Sequence, residues 1–402
     1  MSTSTVEPSF SIRAVIVPLL LFGMYAGFGA AWMAVVPLFP EVQALLGIAD
    51  RAEAVGLVSI VSIATSIVPI LAGVLAARLG LTTTMRAAGL LMACSVLIPW
   101  LPGGLPVWLG ARFMFGIGGA VWLTLMRAVV VDVVAPARRG LVNALNGVAV
   151  NTGVIIGLRN ALTLKDAIGA QWALTVLASA TVVFFVVLMF VGPLSSAPPR
   201  QVPFGDILKS YKSVLGEGTT WFVAAAFCGP LALYLIVNTW LPTYLETAFG
   251  LTRAAATAAT STMNIWGIPA SLAVGVLLQR KVWRVRGWIF IGGLVLPLGM
   301  AGALLADETW RMTFFAIAGM GLFIPVVPLV TLLQRQPGMT AARFGMVMET
   351  MGSVSYIVSS VAPNVVGTAI KSGIPVGSAL LPCCLLGFTP LFGLLLTEPT
   401  DG

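Results

Sequence analysis

Twelve stretches of about twenty apolar residues, each bounded by polar or charged breaks, constrain this chain more than any other feature. A helix of that length covers the roughly 30 Å hydrocarbon core of a bilayer, at 1.5 Å per residue. Hydrocarbon offers the backbone no hydrogen-bonding partner, so such a run must be helical. The runs begin near residues 14, 54, 84, 105, 141, 171, 220, 253, 287, 310, 344 and 375. Charged residues make up 9% of the chain, against about a quarter in soluble proteins, so little mass lies outside the membrane. The start, "MSTSTVEPSFSIRA", is polar, and the apolar run after it is too long for a signal peptide. The four cysteines (Cys94, Cys228, Cys383, Cys384) all fall in apolar runs and read as packing residues. With no histidine, no metal-ligand spacing and no nucleotide loop, no metal, cofactor or enzymatic chemistry is expected.

The longest polar interval divides the spans six and six. The expected organisation is an N-terminal bundle over 1–193, a cytoplasmic linker over 194–218 and a C-terminal bundle over 219–402. Arginine and lysine set the orientation. With the N-terminus inside, fourteen basic residues fall in inner segments and five (Arg51, Lys165, Arg253, Arg311, Lys371) in outer ones, a positive-inside bias. Both termini are then cytoplasmic, in what reads as a bacterial inner membrane. The net charge of +8 belongs to these loops and calls for no nucleic-acid partner.

The two halves repeat. Pro37, Glu41 and Gly47 after the first span correspond to Pro242, Glu246 and Gly250 after the seventh. Arg138, Gly140 and Gly147 correspond to Arg343, Gly345 and Gly352, 205 residues later, and Gly73 with Arg78 to Gly275 with Arg280. Parallel six-plus-six repeats are the plan of rocking transporters, with the site between the halves near mid-membrane.

On these motifs the sequence resembles the major facilitator superfamily over nearly its whole length. "GVLAARLG" matches the family's loop motif at Gly73, Arg78 and Gly80, but Ala77 stands where the family has an acid, and Gln279 stands there in the second copy. In the family that acid helps hold the halves together on the cytoplasmic side. Arg112, Gly116 and Gly118 match the fourth-span pattern R-x-x-x-G-x-G, and Asp132 with "PARRG" matches the turn closing that helix. The resemblance implies an all-α membrane fold of twelve helices in two pseudo-symmetric bundles, working as a secondary transporter. The fifth span lacks the Gly-Pro element usual in the family's antiporter-like exporters, which favours symport or uniport over drug export.

Ionisable residues at membrane depth are functional candidates because an unpaired charge there costs several kcal/mol. Four qualify: Arg112, Arg127, Arg159 and Glu349. Arg112 and Arg127 lie about 60° apart around one helix, so both could face one cavity. The alternatives are a structural Arg112 bonding neighbouring carbonyls, and snorkelling for Arg127 and Arg159. Glu349, the sole interior acid, is either a proton carrier or the partner of Arg127 in an inner gate, with gating preferred. Asp132 is expected to pair with Arg78, Arg138 or Arg139. Tyr25, Asn151, Asn264 and Tyr356 fall near mid-span and could complete a substrate site, although asparagines also bind helices together.

Three interior arginines against one acid favour a small anionic substrate, such as a carboxylate, with protons as candidate coupling ions. A monomer in the lipid bilayer is expected. An exporter of lipophilic compounds is the rival within transport, and a transporter-like sensor or structural protein the rival outside it.

Overall fold

The apolar runs become helices whose ends are set by glycine, proline and small caps. The structure, a computed structural model, describes residues 13–195 and 204–397. Its helices are α1 (Arg13–Met33), α2 (Phe39–Leu46), α3 (Arg51–Leu79), α4 (Leu81–Ala93), α5 (Gly104–Val133), α6 (Pro136–Ile168), α7 (Ala170–Phe190) and α8 (Phe204–Leu215). They continue as α9 (Gly218–Phe249), α10 (Arg253–Gln279), α11 (Val285–Leu305), α12 (Glu308–Phe323), α13 (Val326–Gln334), α14 (Ala341–Lys371) and α15 (Val376–Leu380). Tighter 3₁₀ turns extend α4 through Cys94–Trp100 and α15 through Leu381–Leu395. Among the described residues, twelve helical segments are long and apolar enough to cross a membrane, and their starts fall within four residues of those read from the sequence. Below, the face bearing the excess of arginine and lysine is termed inner, and the opposite face outer.

Two tight turns depend on glycine. Gly80 alone links α3 to α4 with φ +85°, and Gly169 alone links α6 to α7 with φ +83°, a region that L side chains avoid. The second loop motif has no glycine at its turn, and Lys281 takes φ +52° instead.

The spans form two bundles with matching internal contacts. In the first, α1 lies on α6 and α3 on α5; in the second, α9 lies on α14 and α10 on α12. The bundles meet along two seams, α3 against α14 and α6 against α10. Lipid tails give no hydrophobic drive between helices, so close packing must hold each bundle together. Small residues permit it. A Cβ on Gly153 would sit 1.8 Å from the Ala26 carbonyl oxygen, and one on Gly229 would sit 2.0 Å from that of Leu386. Gly116 and Gly118 of the fourth-span pattern are enclosed as well, a Cβ at each lying 2.7 Å from Ala64 and from the Ala88 carbonyl respectively.

The interval read as a linker contains a helix, and one expectation is corrected. Helix α8 buries Tyr211 and Val214 and exposes Lys209 and Lys212. Buried residues three apart on one face and lysines three apart on another make this helix amphipathic, and it is too short to register as a span. Of the four cysteines read as packing residues, Cys384 is buried, whereas Cys94 is exposed.

Gly153→Ala is expected to lower the melting temperature of the purified protein by several degrees, because overpacking against backbone costs about 1–3 kcal/mol. Gly147→Ala, with nothing within 4 Å, should leave it unchanged or raise it. Equal melting of the two variants would contradict the close α1–α6 approach.

Candidate functional site

The two arginines of α5 occupy different environments. Arg112 is 3% exposed, and its guanidinium donates from Nε to the Leu57 carbonyl (2.6 Å) and from a terminal nitrogen to the Trp32 carbonyl (2.7 Å). Trp32 in turn donates to the Val58 carbonyl (3.1 Å). One side chain thereby ties α1, α3 and α5 together inside the N-terminal bundle. The expectation of one shared cavity is corrected here. Helical phase brings the two residues within 60°, but Arg112 is committed to carbonyls within its bundle, whereas Arg127 is exposed.

Arg127 lies in the inner part of α5 and acts electrostatically on Tyr25 of α1. The Tyr25 hydroxyl faces that of Tyr356 on α14, and Tyr234 of α9 lies within range of Tyr356. These residues come from both bundles and meet near mid-depth. Tyr25 stacks on Phe28 (5.6 Å between centroids, 7° between planes), and Phe28 on Phe115 (4.6 Å), which fixes the ring from behind. The Tyr234 hydroxyl is buried without a hydrogen-bond partner. Nearby on the same helix, Asn238 accepts from Asn264 Nδ2 (2.9 Å) and donates to the Tyr234 carbonyl (2.8 Å), while the Asn264 oxygen is left unpaired. Tyr234 was not among the residues singled out from the sequence; a lone tyrosine in an apolar run carries little signal. Asn151 is buried within α6.

One face of α14 carries Glu349, Ser353, Tyr356, Ser360 and Asn364, spaced by three or four residues and so aligned along the helix. At three depths this face meets other elements. Glu349 accepts a hydrogen bond from the Tyr211 hydroxyl of α8. Tyr356 meets Tyr25, and Asn364 donates to Ser59 Oγ of α3 (2.9 Å). Glu349 and Arg127 form no ion pair among the described residues.

The side-chain contacts that join the bundles cluster at the outer face. Glu41 of α2 holds Arg253 of α10 with both oxygens (2.9 and 3.0 Å) and draws Lys165 to 3.6 Å. Arg159 donates to Ser261 Oγ (2.7 Å), so this candidate ligand braces α6 against α10. Lys371 lies 2.7 Å from Asp50, and Glu246 is the opposing charge beside Arg51. The outer side is therefore closed. Lys371, together with the Ala52 amide, holds the Asp50 carboxyl below the usual carboxylate range.

The loop-motif residues line the inner face. Gly73 and Gly275 have open space around them, and Arg78 and Arg280 are exposed. Asp132 is exposed too, and Arg139, one of its expected partners, donates instead to the carbonyls of Val134 (2.9 Å) and Val131 (2.7 Å) at the end of α5.

A model of the Major Facilitator Superfamily matches residues 21–363. Comparison with curated protein sequences returns no match. Among solved structures, the chain is similar to a peptide transporter POT in complex with alafosfalin (TM-score 0.72, 14% identity, covering 98% of this chain and 97% of that one). It is similar to the xylose transporter XylE from E. coli in a partially occluded inward open conformation (0.72, 14%, 98% and 99%). It also resembles the E. coli fucose:proton symporter FucP (0.68, 14%, 96% and 100%). At 14% identity the likeness is one of fold.

Two outcomes follow. Arg112→Met should lower the melting temperature markedly, since each hydrogen bond to a charged group is worth about 1.5–3 kcal/mol; Arg127→Gln, at an exposed position, should not. Similar losses in both would overturn the division of the two arginines. For the outer seal, a carboxyl held below its ordinary pKa keeps its contact above about pH 4 and loses it as the pH falls further. Acidifying the wild type to about pH 5 should therefore leave outer spin-label distances unchanged, whereas Asp50→Asn should lengthen them at neutral pH; the reverse pattern would contradict the seal.

Proposed function

The chain belongs to the major facilitator superfamily, and from that premise we propose that it carries a small organic anion, carboxylate-like in charge, by proton-coupled alternating access. The observation that carries this reading is Arg127: an arginine at membrane depth, exposed, and electrostatically linked to Tyr25 of α1. A guanidinium presents a planar fork that matches the two oxygens of a carboxylate. The hydroxyls of Tyr25, Tyr234 and Tyr356 supply further donors from both bundles, with Asn264 and Asn151 available beside them. Such a site binds an anion from two bodies at once, which couples occupancy to closure.

For coupling, Glu349 is the interior acid in a chain without histidine. We assign it a gate role as well. In the outer-open state Arg127 and Glu349 pair across the inner mouth, replacing the acid missing at Ala77. Proton uptake by Glu349 would weaken that pair and so link the proton to inner opening. One of the similar structures, the fucose transporter, is named as a proton symporter, in keeping with this coupling. Residues 1–193 and 219–402 are the two rocking bodies, with 194–218 as linker. Both termini face the cytoplasm of a bacterial inner membrane, and the monomer is the working unit.

Reconstituted into liposomes, the protein should take up labelled lactate, succinate or benzoate faster with an inward proton gradient. Arg127→Gln should reduce that uptake about tenfold to a hundredfold, the equivalent of one charge-assisted contact. Movement of lipophilic cations alone, with no anion transported, would overturn the reading in favour of an exporter. Exchanging the charges, Arg127→Glu with Glu349→Arg, should restore transport lost in either single variant if the two form the gate; a double variant as inactive as the singles would sink the pairing.

A further inference from the structure

The hydrogen bond between Tyr211 and Glu349 assigns the linker a role that chain connectivity alone does not require. Helix α8 is held firmly to the C-terminal bundle. Glu217, in the turn after α8, pairs with Arg343 at the start of α14 (2.6 Å). Thr220 donates to the Val214 carbonyl (2.8 Å), and Trp221 to that of Leu215 (2.9 Å), closing the turn between α8 and α9. Val214 is buried in an apolar cluster with Val223, Val347 and Met351. Packing therefore sets the place of Tyr211, which is 6% exposed, and its hydroxyl reaches the Glu349 carboxylate. Arg127, by contrast, belongs to the N-terminal bundle. Glu349 thus has one partner that travels with it and one candidate partner that does not.

We propose that Tyr211 is a positioning residue that parks Glu349 while the outer side is closed, and that outer opening transfers the carboxylate from Tyr211 to Arg127. The exchange leaves the carboxylate with a hydrogen-bonding partner in each end state. A half-buried carboxylate that loses one partner before gaining another is left unpaired on the way, and that cost separates the two states. The inference rests on the gate reading of Glu349, yet it adds a partner that neither the family's loop motif nor the substrate site contains. It also gives the linker an effect on the conformational balance: α8 favours the outer-closed state through one hydroxyl.

The test is a pair of spin labels at exposed outer positions, Leu45→Cys on α2 and Ala248→Cys on α9, with the four native cysteines replaced by alanine. Distances are measured in proteoliposomes. Tyr211→Phe keeps the buried ring and removes only the hydroxyl. It should raise the ratio of long to short outer distances about tenfold to a hundredfold, the range for one hydrogen bond to a charged group. The same substitution in a Glu349→Ala background should change the ratio less than about twofold. An unchanged distribution in Tyr211→Phe overturns the proposal. An equal shift with and without Glu349 does so too, because Tyr211 would then act through packing. Arg127→Gln separates this from failure of the gate. If the gate holds, that variant shifts the distances shorter; if it does not shift them while the Tyr211 effect still requires Glu349, the gate fails and the parking contact stands.

Discussion

In a hydrocarbon core every polar group must find its partner within the protein, and the architecture of this chain follows from that requirement. Arg112 illustrates it most directly. A guanidinium in the middle of an apolar bundle is tolerable because two backbone carbonyls, from Leu57 and Trp32, receive its hydrogens. The charge that first looks like a ligand becomes the joint on which three helices are assembled. Trp122 repeats the device, donating to the Leu21 carbonyl, as does Trp240 to that of Pro363 and Tyr244 to that of Leu304.

These bonds differ in kind from those between the bundles. Within a bundle, Arg112, Trp122, Trp240 and Tyr244 end on backbone carbonyls, whose positions are set by the helix itself, beside a few side-chain pairs such as Asn264 with Asn238. Between bundles, Glu41 with Arg253, Arg159 with Ser261, Asn364 with Ser59 and Lys371 with Asp50 join side chain to side chain. Side chains can change rotamer and accept water in exchange; carbonyls within a helix cannot move without breaking it. Anchoring on carbonyls thus stiffens each body, while the seam rests on side-chain pairs that can separate. Salt bridges near water contribute about 0–1 kcal/mol each, which suits a seal that must open repeatedly.

Much of this was legible in the sequence. Hydropathy located the spans to within a few residues, because lipid punishes exceptions at nearly every position. The family motifs were visible in short patterns, such as Gly80, whose positive φ is a local demand, and the Gly116–Gly118 pair, whose neighbours Ala64 and Ala88 the sequence does not name. What escaped were pairings of long range. Nothing near Arg112 in the chain says that its partners are carbonyls 55 and 80 residues away. Arg159 looked interfacial because its partner, Ser261, is one ordinary serine among many. Tyr211 lay in a stretch whose composition reads as a loop, and only the placement of α8 against α14 gives it a neighbour. Helical phase alone put Arg112 and Arg127 on one side; the crowding of α1 and α3 around the first separated them.

The outer contacts also bear on how such a chain arose. Glu41 and Glu246 occupy equivalent places in the repeat, as do Arg51 and Arg253 at the starts of α3 and α10. Glu41 holds Arg253, while Glu246 faces Arg51. Residue i meets j, and j's counterpart meets i's, which is the signature of an isologous dimer interface. A half-length ancestor with one acid and one arginine could have closed this seam by pairing with its own copy, before duplication and fusion joined the two. The two pairs are now unequal: Glu41 has Lys165 as a second cation, whereas an oxygen of Glu246 is buried without a partner. The seam keeps its inherited symmetry in position and has lost it in strength, so the two arms need not release together.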